Sequence, residues 1–491
     1  MLSTTPFSVE ACTALNALAP NAHIHVVGVC GVAMAQLSVA LVEYGFTVSG
    51  SDKEYYDPMR GLLAQCAVAT MTGFAASNIP QHTALVVIGN AISKDNPEVL
   101  ETQRRKIPYT IFPKILGDFL IADRQSIVIA GTHGKSTTTA LGAHVLSVAK
   151  EQPSFFVGGL MKGYERCLVI GAGDVSIVEG DEYDSAFFAK VPKFNFYKPH
   201  LLTITSLEFD HADIYADLAA IEAQFQALIA CVPASGQVLV CLDDQNIEAC
   251  LPRWRTLTPA PIRTYGFHKD ADVRIASQQY HDGIQGIEIH QQGSVHQLQV
   301  SLLGKHNARN AVAIYLTMKH RGMSDAVINQ GLSTFPGVRR RQEVRYQNQR
   351  TIVLEDFAHH PTAVRETLAA IRQGYPQRRI VCAFEPRSNT SRRKVFEQDY
   401  GSAFKDAAVV YLKSVAARHN DTGIELMDIG VVAQDIERHG SNVHLFENTT
   451  SLLSSLAAED IEQTLIVVMS NGSFDGLIDS LIACLADRDR K

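Results

Sequence analysis

The chain has 491 residues, 46% of them hydrophobic and 19% charged, and its 44 Lys and Arg stand against 51 Asp and Glu for a net charge of −7. At about 150 residues per domain the length suggests about three domains, and the composition excludes a disordered or collagen-like chain. Mild acidity argues against a dedicated nucleic-acid binder, which carries a basic face.

The N-terminus lacks the basic and apolar regions of a signal peptide. No apolar run reaches the roughly eighteen residues of a membrane span. Nine cysteines lie scattered, odd in number and without CxxC spacing. They are expected to be reduced thiols in a cytoplasmic protein, not a disulfide framework or a zinc site.

In chain order, the first predicted strand is His23–Gly28, followed by a helical pattern from Val32 to Val42 and a strand from Phe46 to Gly50 that runs on to Asp52. The turn Gly28-Val-Cys30-Gly31-Val-Ala33 is similar to a dinucleotide fingerprint, in which glycines let the backbone approach a diphosphate. Cys30 and Ala33 stand where glycine is expected, so the turn indicates diphosphate binding without identifying NAD. The alternative reading is tight strand–helix packing with no ligand. Ala84–Gly89 is a further buried strand, and the segment ends near Ala122.

The second segment opens on the strand Ser126–Ala130. Then comes Gly131-Thr132-His133-Gly134-Lys135-Ser136-Thr137, with a helix predicted from about Lys135 to Ala149. A glycine-rich turn between strand and helix aims backbone N–H groups at phosphates. Lys135 is placed for the β- and γ-phosphates of a nucleotide and Ser136 for Mg²⁺. The strict P-loop pattern wants glycine at Ile129, so this loop is a variant.

Two acidic strand ends follow. Glu179-Gly-Asp181-Glu182-Tyr-Asp184 succeeds the strand at Val175, and Glu208-Phe-Asp210-His211-Ala-Asp213 succeeds the strand Leu201–Thr205. Mg²⁺ takes hard oxygen ligands, so Glu179 joins Ser136 as a candidate, with His211 as a possible imidazole ligand. Between 263 and 302 the pattern becomes short alternating strands with turns at His281-Asp-Gly and Gln291-Gln-Gly, a small antiparallel patch. Gly304-Lys-His-Asn307-Ala-Arg-Asn310-Ala311 opens a helix, and Asn307 can bond the edge of an adenine or simply cap the helix. Phe335-Pro-Gly-Val-Arg339-Arg340-Arg341 reads as a hinge carrying three cations suited to phosphate.

The third segment opens at Arg350–Leu354 and alternates strand and helix to the end, which favours a parallel sheet. Glu355-Asp356-Phe-Ala-His359-His360-Pro-Thr362 and Glu385-Pro-Arg387-Ser388-Asn389-Thr390 each sit between a strand and a helix. Both loops are expected at the carboxyl edge of one sheet. Arg387 offers a planar fork for a carboxylate.

Taken in order, these motifs resemble the Mur ligase family, whose members join amino acids or peptides to UDP-N-acetylmuramate derivatives using ATP. The resemblance covers nearly the whole chain. It implies an α/β fold of three domains: a Rossmann-like domain over 1–122 for the UDP-sugar, a P-loop NTPase-like domain over 123–338 for ATP and Mg²⁺, and a Rossmann-like domain over 339–491 for the peptide.

Phe335–Arg341 and Ala358-His-His-Pro-Thr362 resemble the branch acting on UDP-N-acetylmuramate itself. Within it, the loop Glu385–Thr390 is similar to that of members that attach the recycled tripeptide L-alanyl-γ-D-glutamyl-meso-diaminopimelate, with L-alanine as the alternative acceptor. The resemblance implies Lys135, Glu179 and His211 as catalytic residues and Ser136, Glu179 and His211 as metal ligands. It implies nucleotide contacts at Gly131–Thr137, Asn307, Arg341 and Asp356. It implies substrate contacts at Gly28, Gly31, Asp52, His360, Arg387, Ser388 and Asn389.

Several members hold a second Mg²⁺ through a carbamylated lysine after the Asp-His motif. Here no lysine occurs between Lys198 and Lys269. A monomer or weak homodimer without membrane or nucleic-acid partners is expected. An NAD-dependent oxidoreductase would account for Gly28 to Asp52 alone, and a non-catalytic nucleotide switch for Gly131–Thr137 alone.

Overall fold

The computed structural model describes residues 7–212, 214–415, 425–459 and 462–490, so Asp213 of the second acidic motif lies outside the described residues. The chain divides into two compact units. One comprises Met1–Phe209, Asp217–Arg274 and Val312–Leu332; the other comprises Asp210–Ala216, Ile275–Ala311 and Ser333–Lys491.

The first unit holds two sheets. The N-terminal one is parallel, in the order Ala69–Thr72, Thr47–Asp52, His23–Val27, Thr83–Ile88, Tyr109–Ile111. Strand order reverses beside His23–Val27, so the turn at Gly28 lies at the topological switch point where α/β folds gather ligands. Every residue of His23–Val27 is buried, as an internal strand with helices over both faces requires.

The second sheet runs in the order Ile262–Gly266, Gln237–Cys241, Leu201–Ile204, Gln125–Ala130, Val175–Gly180, Ser154–Phe156, Leu168–Val169. All pairs are parallel except the last. The strands Gln125–Ala130, Val175–Gly180 and Leu201–Ile204 are therefore neighbours, and their carboxyl ends lead into Gly131–Thr137, Glu179–Asp184 and Ser206–Glu208. The three-residue strand Ser154–Phe156 was not legible in the pattern.

An aromatic seam packs the edge strand Tyr109–Ile111 of the first sheet against a hairpin. The strands Asp184–Ala186 and Ala189–Pro192 form a hairpin that the sequence did not announce. Its tip, Phe187 and Phe188, packs against Phe7 and Tyr109, with ring centroids 5.5 Å apart for Phe7–Phe188 and 4.4 Å for Phe7–Tyr109. Nearby, a Cβ on Gly117 would stand 2.2 Å from the Phe196 carbonyl oxygen, so only glycine admits this approach.

In the second unit the sheet order is Glu343–Gln347, Thr351–Asp356, Thr464–Met469, Arg379–Phe384, Val409–Lys413, Asn442–Phe446. All pairs are parallel save the antiparallel edge strand Glu343–Gln347. The last strand in sequence inserts between Thr351–Asp356 and Arg379–Phe384. Loops after Asp356, Phe384 and Met469 are thus brought to one edge. The ribbon Ile284–Gln291 and Ser294–Val300 is antiparallel, as expected, but Ile262–Gly266, at the start of the expected patch, pairs in parallel with Gln237–Cys241 as an extension of the parallel sheet. The turn within the ribbon and the turn just before it take left-handed φ, at Gln292 (48°) and Gly293 (81°) and at Asp282 (48°) and Gly283 (82°), the geometry of tight two-residue hairpins. No helix among the described residues is long and apolar enough to cross a membrane.

Candidate functional site

In the first unit the loop Gly131–Thr137 is shaped by glycine. Gly131 has φ 124°, and a Cβ there would lie 2.4 Å from Thr205 Oγ1. Gly134 has φ 83° and caps the helix Lys135–Val148, whose first turn carries Ser136 and Thr137. Thr132 and His133 donate their backbone N–H groups to Ser206, to its carbonyl oxygen at 3.1 Å and its Oγ at 2.8 Å. The His133 ring lies 3.2 Å from a Glu208 oxygen. The loop is thus pinned to the neighbouring strand end.

Lys135 is buried. Its ammonium donates to Gly131 O (2.7 Å), Thr132 O (3.2 Å) and both oxygens of Glu182 (2.8 and 3.0 Å). Burial alone would lower its pKa, but Glu182, Asp181 and Glu179 together raise it, so the charge is retained. Glu182 is 1% exposed. Sequence reasoning quoted it but assigned it no part, because the pairing depends on how two loops converge.

Ser136 Oγ donates to Glu179 Oε1 at 2.9 Å, and Gly158 N–H donates to Glu179 Oε2 at 2.6 Å. A Cβ at Gly158 would meet that oxygen at 2.7 Å. Burial pushes the Glu179 carboxyl up while Lys135 works against it. A buried hydroxyl from the first turn of a helix and a buried carboxylate from the end of the neighbouring strand form a hard oxygen pair that suits Mg²⁺.

At the first sheet, Gly28 has φ 84° and Gly31 precedes the helix Val32–Glu43. Asp52 accepts from the Cys30 N–H at 2.8 Å and so braces this turn. Gly50 does the close-packing work that a fingerprint assigns to its last glycine: a Cβ there would lie 2.6 Å from Val29 Cβ. Behind the turn lies a network the sequence did not reveal. The fully buried Glu98 bonds His25 Nε2 (3.2 Å), Asn78 Nδ2 (2.7 Å) and Ser51 Oγ, and His25 Nδ1 meets Ser49 Oγ at 2.8 Å.

In the second unit, Asn307 donates to Leu303 O (2.7 Å) and accepts from Asn310 (3.1 Å) at the start of its helix. His306 and Arg309 flank Glu366, at 3.4 and 2.9 Å. The three adjacent arginines have three different settings. Arg339 is exposed, and Arg341 lies over the Phe357 ring at 4.9 Å. Arg340, at φ 60°, binds Glu355 (2.9 Å) and the Ser470 carbonyl (2.9 Å). Arg340 therefore ties the hinge to the sheet edge. Asp356 is buried and accepts the N–H groups of Gln342 and Ala358, both at 2.7 Å. Burial raises its carboxyl, with Arg341 opposing.

His360 caps the helix Pro361–Gly374 and stands edge-on to Phe396 at 4.9 Å. Arg387 is 44% exposed at its side chain, 4.0 Å from Glu385, and its stem lies against Gly472, where a Cβ would be 2.5 Å from Arg387 Cδ. Ser388 N–H donates to Ser391 Oγ at 2.9 Å, and the Asn389 carbonyl accepts from Arg393 at 3.3 Å. Glu385 also bonds Ser470 Oγ (2.7 Å) and Lys413 (3.0 Å), two partners the sequence did not suggest. His211 stands beside Asp210 and Thr390.

The first unit thus gathers Gly131–Thr137 with Glu179, and holds Gly28, Gly31 and Asp52 at its other sheet. The second gathers Asp356, His360, Arg341 and Arg387–Asn389 along one sheet edge, with Asn307 and His211 on segments packed into the same unit.

Comparison with known proteins matches three stretches. Residues 23–124 match the Mur ligase family catalytic domain, 129–318 the Mur ligase middle domain, and 339–472 the Mur ligase glutamate ligase domain. The chain is 32% identical, over 95% of its length and 98% of the relative, to UDP-N-acetylmuramate–L-alanyl-γ-D-glutamyl-meso-2,6-diaminoheptandioate ligase of Escherichia coli K12. It is 31% identical, over 95% and 99%, to UDP-N-acetylmuramate–L-alanine ligase of Desulforapulum autotrophicum. Among solved structures, a murein peptide ligase from Psychrobacter arcticus superposes with TM-score 0.70 at 26% identity, over 94% of this chain and 98% of that one. A UDP-N-acetylmuramate–alanine ligase from Thermotoga maritima superposes with TM-score 0.77 at 22% identity, over 95% and 99%, and shares the fold.

Proposed function

The chain belongs to the Mur ligase family of ATP-dependent amide-bond ligases, which release ADP and phosphate, and we propose that within it this enzyme joins L-alanyl-γ-D-glutamyl-meso-diaminopimelate to UDP-N-acetylmuramate. The observation that carries the acceptor choice is the loop Glu385–Thr390, with the half-exposed fork of Arg387 backed by Glu385 at the sheet edge. A guanidinium fork suits a carboxylate. The tripeptide brings several carboxylates where alanine brings one.

The muramate lactyl carboxylate attacks the γ-phosphorus of ATP and gives an acyl phosphate. The free α-amine of the acceptor then attacks that carbonyl, and phosphate leaves from a tetrahedral intermediate. The protein supplies position and charge rather than a covalent intermediate. Lys135 exchanges Glu182 for the transferring phosphoryl group and neutralises it. Ser136 and Glu179 would hold a first Mg²⁺ and His211 would serve as a ligand of a second, and such ions would screen the phosphate charge. Asn307, Arg341 and Asp356 hold the nucleotide. Gly28 and Gly31, braced by Asp52, admit the diphosphate of the UDP-sugar. His360, Arg387, Ser388 and Asn389 receive the acceptor. A cytoplasmic reaction fits these substrates, and none of the nine cysteines is paired in a disulfide.

The deciding experiment incubates the enzyme with UDP-N-acetylmuramate, ATP, Mg²⁺ and either L-alanine or the tripeptide. A tripeptide adduct by mass spectrometry, with matching ADP release, is the expected result. An alanine adduct alone would transfer the enzyme to the alanine-adding branch. Lys135→Ala should abolish product formation while circular dichroism is unchanged, and normal turnover in that variant would refute the assignment of the phosphate site.

A further inference from the structure

Two side chains beside His211 have no part in the reaction as described. Thr390 closes the loop Glu385–Thr390, and Asp210 precedes His211. The Thr390 hydroxyl donates to Asp210 Oδ1 at 2.6 Å. The same oxygen accepts the His211 N–H at 2.7 Å, and that N–H also reaches Thr390 Oγ1 at 3.2 Å. The three atoms form a closed triangle. Asp210 and Thr390 are only 5% and 3% exposed, so water does not replace these bonds cheaply.

The triangle holds a strained residue. His211 has φ 53°, a left-handed conformation that costs a non-glycine residue on the order of 1 kcal/mol or more. Its carbonyl accepts from Ile214 (2.8 Å) and Tyr215 (3.1 Å), so both sides of the residue are clamped. A glycine would relieve the strain but would offer no imidazole. The clamp joins segments 180 residues apart in sequence. One bears Arg387, Ser388 and Asn389; the other aims the His211 ring.

We propose that Asp210 and Thr390 are positioning residues that couple the loop 385–390 to the backbone conformation of His211. Filling the loop orders Thr390, which fixes the Asp210 carboxylate and with it the His211 N–H. Because linkage is reciprocal, an ordered His211 also favours acceptor binding. The coupling part rests on the reading of 385–390 as the acceptor loop.

Amide hydrogen exchange on the full-length enzyme, with UDP-N-acetylmuramate and a non-hydrolysable ATP analogue, tests both parts. Without acceptor, Thr390→Val should speed exchange of the peptide 207–212 by about tenfold, a coupling of ordinary size, and Thr390→Ser should restore the wild-type rate. Adding L-alanine or the tripeptide to the wild type should slow exchange at 385–392 and 207–212 together. In Thr390→Val the acceptor should still protect 385–392 while 207–212 keeps its acceptor-free rate. Steady-state kinetics of Thr390→Val should show kcat reduced more than the acceptor KM is raised.

Unchanged exchange at 207–212 in Thr390→Val, or a serine variant that behaves like valine, would overturn the proposal. So would loss of acceptor protection at 385–392 in Thr390→Val, because Thr390 would then act on the acceptor directly. If neither acceptor protects 385–392 in the wild type, the acceptor-loop reading and the coupling fall, while the acceptor-free arm still decides the positioning of His211.

Discussion

The two units solve the problem of joining chain segments in opposite ways. In the first, the N-terminal sheet is joined to the hairpin 184–192 by an aromatic seam of Phe7, Tyr109, Phe187 and Phe188, and Gly117 packs closely on Phe196. In the second, the segments at 210–216 and 305–311 are fastened to the C-terminal sheet by polar groups. These are the Asp210–Thr390 bond, the His306–Glu366–Arg309 cluster and the Gln342–His306 contact. Apolar seams are non-directional and are lost only by exposing area to water. Polar joints are directional and individually modest. The first kind suits a rigid floor beneath the loop Gly131–Thr137; the second suits joints that can be broken and remade.

Glu98→Ala tests whether the first unit is rigid throughout. Its carboxylate is fully buried among His25, Ser51 and Asn78, and removing one partner of such a network costs about 3–5 kcal/mol. Denaturant unfolding should show that loss, and a cost no larger than that of a surface substitution would mean water already reaches the network.

The double variant Phe187→Ala, Phe188→Ala strikes the seam itself. These rings are partly buried, so a loss of about 3 kcal/mol is expected, at the low end for deleted core aromatics. Unchanged stability would break the contrast between the two joints.

Glu366→Gln addresses the polar joint. Burial alone would raise the Glu366 carboxyl, but His306 and Arg309 hold it well below the usual carboxylate range. A depressed carboxyl contributes stability above its unfolded pKa of about 4.3, and that contribution is lost as pH falls through the folded value. The wild-type second unit should therefore begin to weaken below roughly pH 5 and go on weakening as pH falls through the depressed folded value, and Glu366→Gln should flatten that slope at a cost of about 1 kcal/mol near neutrality. An equal acid slope in both proteins would assign the loss to other carboxylates.

Much of the candidate site was legible because it follows from local chemistry. Gly131 and Gly134 are demanded by left-handed turns, Lys135 begins the helix after a buried strand, and Glu179 stands where an apolar strand ends. The Gln291-Gln-Gly turn announced its hairpin in the same way. Other features were illegible because their cause is non-local. Glu343-Val-Arg-Tyr-Gln347 has mixed polarity and becomes a strand only by pairing with Thr351–Asp356. Asp52 reads as a ligand-binding acid, yet it accepts the Cys30 N–H. Arg340 reads as one of three phosphate cations, yet it is bonded to Glu355 and the Ser470 carbonyl.

By itself the sequence determined the α/β class, the strand-to-helix order, the phosphate loop and the family, because periodicity, turn glycines and motif order are properties of short stretches. Tertiary structure alone decided that Thr464–Met469 enters between two earlier strands, that Glu182 holds Lys135, and that Thr390 clasps Asp210. Those choices depend on which distant loops arrive at the same sheet edge, where a buried charge or hydroxyl must find a partner or pay for its desolvation.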